Sequence, residues 1–164
     1  MLISYLLSFV VALLIHELGH LAAARLCRVP ASEFGLGWGR KLFGFHAGGV
    51  EYKLHALPFG AYVRLDIVEL QRRSLSRQVL VLLAGIIVNM VAAALTPGTN
   101  FGTVNLLLAA TNLLPLYQQD GWKCGMVMLR ALLRRKSPVV EWAFTIAGTT
   151  VSLALIAFQA IRHL

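Results

Sequence analysis

His16-Glu17-Leu18-Gly19-His20 concentrates the most chemistry in the fewest residues of this chain. On a helix, residues i and i+4 share a face, so both imidazoles can bind one zinc ion. Glu17 follows the first ligand and can act as general base toward a water at the metal, whose pKa zinc lowers to roughly 7. H-E-x-x-H also occurs by chance in non-enzymes. Here the context argues against chance. The residues before it, Met1–Ile15, are apolar apart from Ser4 and Ser8. Three ionisable groups inside a membrane helix are costly and need a functional reason.

A catalytic zinc takes three protein ligands and keeps one position open. The remaining acidic residues are Glu33, Glu51, Asp66, Glu69, Asp120 and Glu141. From residue 2, His16 and His20 lie about 21–27 Å along a helix, and from Thr103 Asp120 lies about 26 Å along a roughly helical path. Asp120 thus reaches the depth of the histidines. Glu141, near the inner surface, is the next candidate. The other four read as solvated charge. Asp120-Gly121 also has the look of a solvated turn, but it follows Asn112-Leu113-Leu114-Pro115 at the end of an apolar run. A proline-broken membrane helix usually lines a cavity. Asn112 can donate to a substrate carbonyl or oxyanion, or to a neighbouring helix. Gly85 and Asn89 put a small residue and an amide on one helix face, which fits close packing first and catalysis second. His46, His55 and His163 lack ligand spacing. Cys27 and Cys124 are far apart and read as reduced thiols.

The elements that position these residues follow from composition. The chain has 164 residues, 58% hydrophobic and only 13% charged, with a mean hydropathy of +0.72. A soluble domain averages about 45–50% apolar and 25% charged residues. An integral membrane protein of mainly α class is expected, with one domain over 1–164 and spans over about 2–25, 79–95, 103–118 and 139–161. The first run has no preceding Lys or Arg and is not a convincing signal peptide. With both termini outside, all the basic residues but Arg162 fall on the inner side. That bias accounts for the net charge of +8 without nucleic acid. Between the first two spans, about 33–66 is rich in glycine and β-prone residues. It reads as a small membrane-associated β-hairpin or re-entrant element. Met126–Lys136 reads as a short surface helix.

The motifs together resemble the site-2 proteases, a family of intramembrane zinc metalloproteases, and in particular their bacterial regulatory branch. His16-Glu17-Leu18-Gly19-His20 is similar to the family's H-E-x-G-H on the first core helix. Gly85 and Asn89 fit its G-x-x-x-N element on the second. Asn112-Leu113-Leu114-Pro115 followed by Asp120-Gly121 resembles N-x-x-P…D-G on the third. Leu57-Pro58-Phe59-Gly60-Ala61-Tyr62-Val63 is similar to the branch's L-P-x-G-G-Y-V segment. The resemblance implies His16, His20 and Asp120 as ligands of one Zn2+ per chain, with Glu17 as general base and acid. It implies substrate or oxyanion contacts from Asn112 and Asn89, and from the strand Gly60, Ala61, Tyr62 and Val63. The implied substrate is a membrane protein cut in or near a transmembrane helix, in the bilayer of a prokaryotic cell membrane, with the site toward the cytoplasm. Members of the branch often carry a PDZ domain between the second and third core helices, where this chain has only Pro97–Gly102. Ala61 stands in place of a glycine. The alternative from another class is a catalytically silent, zinc-containing regulator that binds a partner helix. The intact Glu17 argues against it.

Overall fold

The computed structural model describes residues 2–133 and 137–162. Arg134, Arg135 and Lys136, counted above on the inner side, and His163 lie outside the described residues. The elements are α1 (Leu2–Leu26), β1 (Ala31–Ala47), β2 (Val50–Leu65), α2 (Ile67–Arg72), α3 (Leu75–Leu95), α4 (Asn100–Leu113), α5 (Asp120–Leu133) and α6 (Pro138–Arg162). The fold is mainly helical with one small antiparallel sheet. By length and composition, α1 and α3 can each cross a bilayer. The chain divides into two compact units, Met1–Ala110 and Thr111–Leu164.

In the first unit α1 and α3 run antiparallel. His20 meets Val81, and one turn back His16 meets Gly85. The buried residues of α1 are mostly small, Ala12, Gly19, Ala23 and Ala24, with the two histidines and Leu21. Its exposed residues include Leu7, Val11 and Leu18, and those of α3 include Ile87, Met90 and Val91. Large apolar groups outward and small ones at the seam suit a helix pair in lipid, where close backbone approach replaces hydrophobic burial.

α1 ends where the chain must turn into the sheet. Arg28 N–H donates to the Arg25 carbonyl and Val29 N–H to the Ala24 carbonyl. Arg28 takes the left-handed conformation, φ 57°. This is the paired-bond helix stop usually built with glycine, and Pro30 prevents the helix from resuming.

The sheet is folded more tightly than two strands suggest. Phe43–Ala47 pairs with Val50–Leu54 as a hairpin, and Ala31–Leu36 pairs with Ala61–Leu65. Glu33, Phe34, Gly35 and Leu36 also pair with Glu51, Tyr52, Lys53 and Leu54. The 33–36 stretch therefore has partners on both sides. Alternation separates two faces. Phe34 and Val50 pack with Leu21 of α1, and Leu14, Tyr52 and Val63 close around them. On the opposite face Arg64, Glu33, Lys53, Glu51 and Lys41 form a continuous ladder of ion pairs, with contacts of 2.7, 3.1, 3.0 and 2.6 Å in that order.

Lys41 and then Lys53, both bonded to Glu51, lower its carboxyl to about 2 from 4.5. A depressed carboxyl stabilises the fold above its unfolded value and stops doing so as pH falls through its folded one. The stability that the ion pairs of Glu51 contribute is thus full above about pH 4.5 and is lost as pH falls from there to about 2, where the folded carboxyl takes up its proton. Lys41→Met is expected to move the Glu51 titration up toward the ordinary carboxylate range, followed by carboxyl-carbon NMR shifts. An unmoved titration would show that Lys41 does not hold this group.

The helical path from Thr103 stops at Leu113, short of the span expected to reach about 118. The residue before a proline avoids helical angles, and Pro115 enforces that here. Leu114–Gln119 forms a turn, with Gln118 at φ 75° and Gln119 N–H bonded to the Leu116 carbonyl. α5 then begins at Asp120, six residues before the surface helix expected from 126. Gly121 lies so close to the Leu113 carbonyl that a side chain there would strike it. Trp122 stacks on Phe144 of α6 with ring centres 6.3 Å apart. Arg130 grips Glu141 through Nε and Nη2 at 2.9 and 2.7 Å. Cys27 and Cys124 are both free and buried, as expected of reduced thiols.

Candidate metal centre

His16 and His20 are 4% and 7% exposed, although both are polar residues of an apolar helix. Their Nε2 atoms are 3.2 Å apart. Two nitrogens bound tetrahedrally to one zinc at 2.0–2.1 Å would be separated by about 3.3 Å. The His20 ring is oriented by α3, because its Nδ1–H donates to the Val81 carbonyl at 2.7 Å. A carbonyl only accepts, so Nδ1 carries the proton. The neutral ring then keeps its lone pair at Nε2. Histidines that bind metals are regularly oriented in this way through their second nitrogen.

Gly85 provides the facing wall. A Cβ at this position would lie 2.6 Å from the Nε2 atoms of both His16 and His20. Two converging imidazole donors, one fixed tautomer and a wall without a side chain fit a zinc ion. Zinc is the ion that imidazole nitrogens commonly take. Glu17 is half-buried on the same turn of α1. Asn89 lies one turn beyond Gly85 along α3 and is 0% exposed. Among the described residues neither atom of its carboxamide has a hydrogen-bond partner.

Asn112 and Asp120 belong to the second unit. Asn112 is half-buried in the last turn of α4. Asp120 is 5% exposed at the start of α5, where Lys123 Nζ lies 3.0 Å from its Oδ1. In the sequence, Asp120 is assigned to the histidine centre by its depth and by motif order, and Asn112 by motif order.

Gly60, Ala61, Tyr62 and Val63 lie on β2. Gly60 has φ 103°, and the Trp38 indole occupies the place where its side chain would be. The left-handed backbone therefore falls on Gly60 and not on Ala61, and alanine fits there without strain. His55, which lacks ligand spacing in the sequence, donates Nδ1–H to the Gly39 carbonyl at 2.9 Å. Sequence reasoning missed the Val81 carbonyl, because a backbone group leaves no mark in residue types. It also missed Lys123, for which the spacing D-x-x-K was the available signal.

A family profile described as peptidase family M50 matches residues 4–99. The chain belongs to peptidase family M50. The match covers α1, the sheet and α3, and so includes both histidines and Gly85. It bears out the resemblance to the site-2 proteases. A provisionally named zinc metalloprotease of Clostridium perfringens is 38% identical over 96 residues, 54% of this chain and 29% of that protein. One from Clostridium acetobutylicum is 37% identical over 97 residues, with the same shares. One from Synechocystis is 35% identical over 95 residues, 51% of this chain and 26% of its own. The matched region thus spans less than a third of the length of these relatives.

Proposed function

We propose that the chain is an intramembrane zinc endopeptidase that hydrolyses peptide bonds in or near transmembrane helices of membrane-protein substrates. The observation that carries this reading is the His16–His20 pair, with Nε2 atoms 3.2 Å apart inside a helix able to cross a bilayer. Asp120 completes the ligand set. Zinc, when bound, supplies Lewis-acid polarisation and brings the pKa of water to roughly 7. Glu17 takes a proton from the attacking water and delivers it to the departing amide nitrogen. Asn112 donates its carboxamide to the oxygen that gains charge at the scissile carbonyl, and Asn89 helps to hold the chain being cut.

A transmembrane helix hides its carbonyls in its own hydrogen bonds and must unwind before attack. In the sheet, 57–65 pairs with β1 alone. Its free edge, at Gly60, Ala61, Tyr62 and Val63, offers replacement bonds to the unwound segment by strand addition. In this reading four spans carry the site, both termini lie outside a prokaryotic cell membrane, and the centre opens toward the cytoplasm.

The test is zinc content per chain in detergent, alongside cleavage of a helix-containing membrane substrate with and without a chelator. The expected result is one zinc per chain and cutting that stops on chelation and returns with zinc. Cutting indifferent to the chelator, or a chain that takes up no zinc, would overturn the reading.

A further inference from the structure

We infer that Gly85 is a positioning residue of the metal centre: its lack of a side chain lets α3 close against the two donor nitrogens without entering the volume where they meet a metal. The inference rests on the zinc reading above.

What surrounds Gly85 distinguishes this role from ordinary packing. Gly19, in the same helix pair, is a packing glycine. A Cβ there would lie 2.9 Å from the Ala84 carbonyl oxygen and 2.9 Å from Val88 Cγ2, both on the partner helix. At Gly85 the three nearest atoms all belong to imidazoles: His16 Nε2 and His20 Nε2 at 2.6 Å and His16 Cδ2 at 2.7 Å. A methyl group at this point would press on both ligand atoms at once.

The neighbourhood cannot yield cheaply. Moving α3 away would stretch the His20–Val81 bond, and Val81 lies one turn before Gly85 on the same helix. In a regular helix the Val81 carbonyl is also the i−4 acceptor of the Gly85 N–H, so one turn both orients His20 and clears space for it. Moving α1 away from α3 would stretch the same bond from the other side. Val81 is 0% exposed and has no open side to shift into. What remains is rotation of the rings, which turns the Nε2 lone pairs away from a common point.

The experiment compares wild type with Gly85→Ala, using cobalt(II) as metal, its visible absorption as the report of coordination, and a chromophoric chelator as competitor. Gly85→Ala is expected to bind at least about tenfold more weakly, the lower end of what disturbing a ligand's surroundings costs. Its cobalt spectrum is expected to change while helix content and substrate-independent melting stay close to wild type. Equal affinity with an unchanged spectrum would overturn the inference and leave the zinc reading standing. Wild type that binds no metal would overturn both.

If Gly85→Ala fails to fold, the same question is asked in a His16→Ala/His20→Ala background, where the rings are gone. Adding Gly85→Ala there is expected to cost no stability, because its clash is with the imidazoles. A loss of stability equal to that in the parent would show a packing role alone and overturn the inference.

Discussion

Glu17→Gln is expected to leave zinc bound and to reduce cleavage by about 10²- to 10⁴-fold, the usual contribution of a positioned acid–base group. Glutamine has nearly the same shape, so the half-buried position on α1 keeps its packing. The carboxamide cannot take a proton from water or hand one to the leaving nitrogen. His16 and His20 are untouched, and the bond that sets the His20 tautomer runs from His20 Nδ1 to the Val81 carbonyl of α3 without involving Glu17. Metal content and activity should therefore separate in this variant. Wild-type cutting by Glu17→Gln would remove Glu17 from the chemistry, and loss of zinc would make it part of the binding site. The assay needs both readouts on one preparation.

Asp120→Asn is expected to weaken zinc binding by at least about 100-fold and to lower cleavage with it. Loss of an outer partner of a ligand already costs about 10- to 100-fold, and loss of a ligand should cost no less. Metal ligands must be deprotonated, and a neutral carboxamide is a poor substitute for carboxylate. Asp120 is 5% exposed and opens α5, where asparagine is also a good helix-starting residue. The local fold should survive. Lys123, 3.0 Å away and 44% exposed, provides the comparison. The Lys123 end of the pair is open to solvent, which screens it, so Lys123→Met is expected to change zinc affinity by only a few-fold. Equal effects of the two variants would assign Asp120 to local electrostatics and leave the third ligand to be found elsewhere.

The His-Glu-x-x-His motif was legible because it is local: five consecutive residues on one helix bring two imidazoles together. The apolar runs that become α1 and α3 were legible for the same reason. Non-local features were not. Glycine-rich, β-prone composition points to strands between 33 and 66. It does not reveal that Glu33–Leu36 is paired on both sides, since that depends on Glu51–Leu54 returning across the sheet. The pattern Gly85-x-x-x-Asn89 reads as close packing, and nothing in it says that the neighbours are imidazole nitrogens. The left-handed stop at Arg28 is invisible because arginine is an unusual choice for it. The early end of α4 was hinted at by Pro115, but the hydropathy of the run continues past the point where the backbone turns.

The ladder on the sheet also changes how the protein meets dissolved ions. Alternating cations and anions a few ångströms apart cancel at a distance, and at physiological ionic strength little of such a pattern survives beyond a Debye length of about 8 Å. Arg64, Lys53 and Lys41 therefore contribute little far-reaching field despite their number. At the end of the α1–α3 pair, Arg25, Arg28 and Arg77 stand close in the chain to the helix termini, and Cys27 Sγ reaches the Arg77 carbonyl across the pair. Added salt is expected to act at that end of the helix pair and to leave the sheet almost unaffected.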